Sequence, residues 1–364
     1  MWNMRKKLAK LIVIGMAVGM PAITALPAQA DASVLGSVIA AGIQLSMQNQ
    51  QLKQLNDTEE GRQALFKSMK EKQGVNDDAY LNQRVGRIMT KLSDAIAEVD
   101  PSIKDKPYNY YINPDTSFNA ACSLGHNMTI NTGIFSLLTT DDEIAVVLGH
   151  EMGHGQKDHV LKGYQKSIPV ELLATAAAAG GGGAAAIGAG VVANYIDNVH
   201  ISKPLEWEAD NLSFEYMTHT DYNIGATAAV WQKVIEEYGS NQGNFAGDIF
   251  SPSDHPGHEE RRDSYAEKIS EYSNNVVTVA DGVVKIHGKE FVKPAAISSM
   301  SGAERSYFVA GNLARYYHRG TKNIIPEAHV VDGTVYVDDQ AVMTPAEGDT
   351  PAQDLADRFN DIRR

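Results

Sequence analysis

A single cysteine, Cys122, serves all 364 residues, so no disulfide closes within the chain. The fold must stand on packing alone, and an oxidising compartment would leave Cys122 buried, free or paired between chains. Positive charge is also scarce: 32 Lys and Arg stand against 45 Asp and Glu, a formal net charge of -13. Such a surface does not seek nucleic acid or anionic lipid. Long apolar runs are confined to two places. The first follows Arg5, Lys6, Lys7 and Lys10, runs from Leu11 to Leu26, and ends at Ala28-Gln29-Ala30 before Asp31. Its basic, apolar and small-residue parts are those of a signal peptide over residues 1–30. Pro21 and Pro27 break it as a spanning helix. Cleavage near Ala30 takes the formal charge to about -17. With no cysteine at the new terminus, lipid attachment is excluded, and the expected product is a periplasmic or secreted protein that is not a lipoprotein. About 330 mature residues suffice for one sizeable core and a smaller module.

The second run, residues 168–196, is an Ala/Gly tract with Glu171 as its only charge. Ala and Gly bury little area, and four consecutive glycines make poor helix. A broken helix pair or mobile cover is expected there, and a membrane span is the alternative.

Around these runs the pattern is α+β and mainly helical. Residues from about 33 to 95 read as helices, with Leu52, Leu55, Leu65 and Met69 at three- and four-residue steps. "PYNYYIN" (107–113) and "NMTINTGIF" (127–135) read as short strands. A helix then starts at Thr140, with Glu143 completing a capping box and Asp141 and Asp142 suiting its positive end. A second helix runs from about Pro204 to the turn at Thr220, and a third from Ala226 to Tyr238. Beyond about Asn275, alternating apolar residues flank Asp281-Gly282 and again Asp332-Gly333, the chemistry of tight hairpins. Residues 276–364 are therefore expected to form a small α+β C-terminal module with two hairpins and a weak internal repeat.

The helix opened by Thr140 is apolar on every side, yet "LGHEMGHGQKDH" puts His150, Glu151 and His154 in its interior. Residues four apart share a helix face, so the two imidazoles can meet one ion with Glu151 beside them. Burying these groups without partners would cost several kcal/mol. A zinc ion takes three protein ligands in a catalytic site and keeps a position for water. Glu151 can then accept the proton of that water. Helix-face counting in "LEWEADNLSFEYMTH" supplies the third ligand. Glu208, Asn211, Glu215 and His219 make a polar outer stripe, whereas Glu206, Asp210, Ser213 and Met217 face inward. Glu206 is the expected ligand, and Asp210 an acceptor for the outer nitrogen of a ligating histidine. Ala209 lets the two helices approach.

With both segments quoted, "LGHEMGHGQKDH" followed by "EWEAD" resembles metallopeptidase family forty-eight, the HtpX-like and CAAX-prenyl-protease-like gluzincins. The likeness spans about residues 78–265. It implies a zincin-like domain over 31–275 with a small sheet beside the histidine helix. It implies one zinc ion held by His150, His154 and Glu206, with Glu151 as general base and Asp210 behind the ligands. His159 matches a common family feature and is read as structural. "NAACSLGHNMTINTGIF" is similar to the segment along which substrate binds, although Ala121 and Leu124-Gly125-His126 replace the more usual Phe and Pro-Gly-Gly. "DHPGHEERR" is similar to a segment that returns to the active site. On that likeness His255 reaches the metal or the substrate carbonyl, and Arg261 stabilises the oxyanion or a carboxylate. The expected protein is a zinc endopeptidase of the cell envelope that acts on unfolded or misassembled polypeptides in quality control. Peripheral association with envelope proteins is a further expectation. An envelope chaperone or scaffold with a structural metal is the alternative.

Overall fold

The computed structural model describes residues 46–47, 49–166, 201–239, 256–319 and 325–364. The expected signal peptide, the Ala/Gly tract and His255 lie outside the described residues. The described part is mainly helical with three small sheets. Helices α1 (49–57), α2 (Glu59–Gln73) and α3 (Ala79–Val99) come first. On α3, the side chain of Asp78 accepts from Leu81 N at 2.9 Å to start the helix. Val85, Ile88, Met89, Leu92 and Ile96 then form the stripe that it buries.

A three-stranded sheet follows, made of β1 (Asn109–Asn113), β2 (Ala120–Ser123) and β3 (Asn127–Asn131) in the order β1-β3-β2. β1 runs parallel to β3 with Ile112 opposite Ile130, and β2 runs antiparallel to it with Cys122 opposite Met128. β2 is thus an edge strand, and it packs on α4 (Asp141–Gln156). The capping box on α4 is formed in both directions: Glu143 N donates to Thr140 Oγ1 at 3.2 Å, and Thr140 N donates to Glu143 Oε2 at 2.9 Å. Helices α5 (159–166), α6 (Lys203–Thr218), α7 (Ala226–Tyr238) and α8 (His258–Tyr272) complete this part of the fold. Among the described residues no helix is long and apolar enough to cross a membrane.

The C-terminal segment holds two copies of one pattern. β4 (Val277–Ala280), β5 (Val283–Ile286) and β6 (Lys289–Val292) form an antiparallel meander followed by α9 (Gly302–Arg319). β7 (Ala328–Val331), β8 (Thr334–Val337) and β9 (Gln340–Met343) repeat it, followed by α10 (Ala352–Ile362). Each expected hairpin is present and gains a third strand. Asp281 and Gly282, like Asp332 and Gly333, have positive φ, which a two-residue turn matched to strand twist requires. The second ladder of each copy shifts register at the same place, at Val284/Lys285 and Val335/Tyr336. The copies are interlocked: α9 packs on β4, β5 and β9, whereas α10 packs on β7, β8 and β6.

One continuous core joins this repeat to the histidine helix, running from Leu92 and Leu148 through Val230 to Leu313 and Phe359. α9 also grips the part of the fold that carries the histidine helix by polar contacts. Arg315 donates to Met217 O at 2.9 Å at the end of α6, and Asn223 Nδ2 donates to Phe308 O at 3.0 Å. Lys233 on α7 lies 2.5 Å from Glu143 at the start of α4 and 3.4 Å from Glu304 on α9, all three buried. Burial pushes the Glu304 carboxyl up to about 7, against the pull of Lys233. Lys233→Met removes the cation that pairs with two buried carboxylates, Glu143 and Glu304. The expected loss is about 3–5 kcal/mol of folding stability, measured by chemical denaturation. A loss below about 1 kcal/mol would mean that water screens the cluster as it does a surface pair.

Candidate active site

Two glycines let the site form. A Cβ on Gly153 would lie 3.3 Å from Ala209 Cα, and one on Gly149 would lie 3.3 Å from Ser213 Oγ. α4 and α6 therefore approach closely along Gly149, Gly153 and Ala209, and Ser213 Oγ donates to Val146 O at 2.8 Å to fix their register. This contact faces His150 and His154 of one helix toward Glu206 of the other.

His150 Nε2 and His154 Nε2 stand 2.9 Å apart. Glu206 Oε2 lies 3.5 Å from the first, and Glu206 Oε1 lies 3.4 Å from the second. All three side chains are at most 2 % exposed, and their donor atoms lie within 4.8 Å of one another. Two imidazole nitrogens and a carboxylate converging out of water fit a transition-metal cation, and the donor set is that of His₂Glu zinc peptidases. Glu151 stands beside them. Its Oε2 accepts from Cys122 N of the edge strand at 2.9 Å, and its Oε1 has no hydrogen-bond partner among the described residues. Burial pushes the Glu151 carboxyl up to about 8, against the pull of His150 and the Cys122 N–H. A carboxylate tuned in this direction suits proton transfer near neutral pH.

Behind the ligands lies a second set of contacts. Asp210 Oδ1 is 2.9 Å from His150 Nδ1. Arg261 on α8 grips Asp210 with two nitrogens, Nε on Oδ2 at 2.8 Å and Nη2 on Oδ1, and Tyr265 Oη donates to Oδ1 at 3.0 Å. Burial opposes ionisation of Asp210, but Arg261 and His150 outweigh it and hold the carboxyl below the usual carboxylate range. The Arg261 guanidinium lies over the Trp231 ring, 3.8 Å from its centre. His154 is held differently, its Nδ1 lying 2.8 Å from His159 Nδ1.

The structure therefore brings together His150, Glu151, His154, Glu206 and Asp210. Arg261 joins them, and of the two partners that the resemblance implies it meets a carboxylate, that of Asp210. Its Nε and Nη2 donate to Asp210, its Nη1 lies 4.0 Å from Glu206 Oε2, and its face covers the Trp231 ring. Trp231, Tyr265, His159 and Glu208 are parts that the sequence reading did not place in the site. Tyr265 had a signal, since it follows Arg261 by four residues on one helix face.

A family model described as Peptidase family M48 matches residues 81–268, just over half of the chain. Three curated proteins are similar to it. The metalloprotease LoiP of Escherichia coli is 24% identical over 196 residues, which is 53% of this chain and 73% of that protein. The metalloprotease YcaL of the same organism is 25% identical over 39% of this chain and 56% of its own length. A putative beta-barrel assembly-enhancing protease of Vibrio cholerae is 21% identical over 48% of this chain and 37% of its own length. The chain thus spans most of the first relative, but little more than half, and little more than a third, of the other two.

Proposed function

Since this chain belongs to peptidase family M48, and so to a family of metalloproteases, we propose that it is a zinc-dependent endopeptidase of the cell envelope acting on unfolded or misassembled proteins. The observation that carries the reading is the meeting of His150, His154 and Glu206 with the Glu151 carboxylate alongside. Zinc bound there supplies Lewis acidity toward the scissile carbonyl. Glu151 does the proton work: Oε1 takes a proton from the attacking water and returns it to the leaving amine as the tetrahedral intermediate collapses. Asp210, locked by Arg261 and Tyr265, keeps the Nδ1 proton of His150 turned away from the ligand side.

β2 is the natural place for substrate. It is an edge strand whose Cys122 N–H already reaches Glu151, so an extended polypeptide added along it runs past the base. Strand addition reads backbone and needs an unfolded segment, in keeping with unfolded clients. The envelope location rests on the signal-peptide pattern of residues 1–30, and on the likeness to a putative beta-barrel assembly-enhancing protease.

The test measures zinc content and casein degradation of the wild type and of Glu206→Ala. The wild type is expected to bind one zinc per chain and degrade casein, and the variant to lose both. Unchanged zinc stoichiometry in Glu206→Ala would overturn the third-ligand assignment.

A further inference from the structure

The two imidazoles of the site are held from behind in unequal ways. His150 Nδ1 meets the buried carboxylate of Asp210 directly. His154 Nδ1 meets another imidazole, that of His159, at 2.8 Å, and His159 Nε2 in turn lies 3.1 Å from Glu208 Oε2. His159 is fully buried, whereas the Glu208 side chain is 45% exposed.

This arrangement is not a by-product of helix geometry. Residues five apart do not share a helix face, so on a continuous helix His159 would turn away from His154. The chain instead breaks at Lys157 and Asp158, and Asp158 takes a left-handed φ of 50. Its carboxylate is tied down by Asn56 Nδ2 at 2.9 Å and Lys106 Nζ at 3.2 Å. The break returns His159 to the back of His154, edge to face at 73°.

Proton positions then follow from counting. His154 Nε2 faces His150 and Glu206, so as a metal ligand it offers its lone pair there, and its one proton sits on Nδ1. The facing His159 Nδ1 must accept, which puts the His159 proton on Nε2, pointing at the Glu208 carboxylate. We propose that His159, with Glu208 behind it, is a positioning residue that fixes the tautomer and ring orientation of His154 for metal binding. It does through a carboxylate–imidazole–imidazole relay what Asp210 does alone for His150. Glu206, Glu208 and Asp210 of "EWEAD" are then used together: one toward the metal, one behind each histidine. The inference rests on the metal-site reading above.

The experiment measures zinc affinity by chelator competition, with the Co²⁺-loaded absorption spectrum as a second readout, on the wild-type chain, His159→Phe, His159→Gln and Glu208→Ala. His159→Phe keeps a ring but offers no nitrogen, and is expected to bind zinc about 10–100-fold more weakly with a shifted Co²⁺ spectrum. His159→Gln can accept from His154 and donate to Glu208, and is expected to recover most of that loss. Glu208→Ala is expected to weaken binding several-fold. Wild-type affinity in both His159→Phe and Glu208→Ala would overturn the relay. Should His159→Phe fail to fold, Glu208→Ala decides, because it changes a half-exposed side chain, and wild-type affinity there overturns the proposal. A wild-type chain that takes up no zinc would instead overturn the metal site itself, and the relay with it.

Discussion

Glu151→Gln is expected to lower casein degradation by about 10²–10⁴-fold while leaving zinc content unchanged. The amide has the shape of the carboxyl, and its oxygen can still accept from Cys122 N, so the contact between α4 and the edge strand survives. What it cannot do is take a proton from water, because an amide oxygen is far too weak a base. Stability gives an independent check. The Glu151 carboxyl stands at about 8, above its ordinary 4.5. The native protein therefore binds this proton more readily than the unfolded chain, and the metal-free wild type loses stability as pH rises from about 4.5 to about 8. Replacing the acid by an amide removes that loss, so metal-free Glu151→Gln should be at least as stable as wild type at pH 8. A variant that degrades casein as fast as wild type would sink the peptidase mechanism and favour the chaperone or scaffold alternative.

That prediction rests on residues the sequence made legible, and the reason is local. The Thr140 capping box, the i, i+4 histidines and the inward stripe of Glu206 and Asp210 are each contained within one helix, where periodicity alone sets direction. Side-chain exposure separates Glu206 at 1 % from Glu208 at 45% along the stripes that counting drew. Parts that depend on a second element were not legible. β2 is the four residues "AACS", with too little strand propensity to mark it by pattern, so its segment entered only through the family likeness and its pairing with β3 is seen only in the fold. β6 and β9 are similarly short and follow second turns, at His287-Gly288 and at Asp338, that lack the Asp-Gly signature of the expected hairpins. His159 escaped because its meeting with His154 depends on the left-handed backbone at Asp158. Arg261 and Asp210 lie 51 residues apart in the chain, and no periodicity links them. α10, by contrast, could have been found: Leu355, Phe359 and Ile362 recur at helical steps after Pro351.

Arg261→Met separates the two roles open to that side chain, and its expected effect is as large. Arg261 is 1 % exposed, and its guanidinium is the cation facing the buried Asp210 carboxylate. Methionine can keep much of the packing on Trp231 but leaves that carboxylate, among the described residues, with His150 and Tyr265. Removing one member of such a pair costs about 3–5 kcal/mol, and loosening Asp210 should weaken zinc binding by about 10–100-fold. Arg261→Lys should rescue little, since an ammonium cannot reproduce the two-pronged grip. A residue that stabilised the substrate oxyanion would behave otherwise, losing about 10²–10³-fold in kcat with zinc affinity untouched. The double variant Arg261→Met with Asp210→Asn sharpens the comparison. If the cost of Arg261→Met is that of a stranded buried charge, neutralising Asp210 in the same chain should return much of the folding stability, although not the zinc affinity. Additive losses in the double variant, together with unchanged zinc affinity in Arg261→Met, would assign Arg261 to the substrate instead of to Asp210.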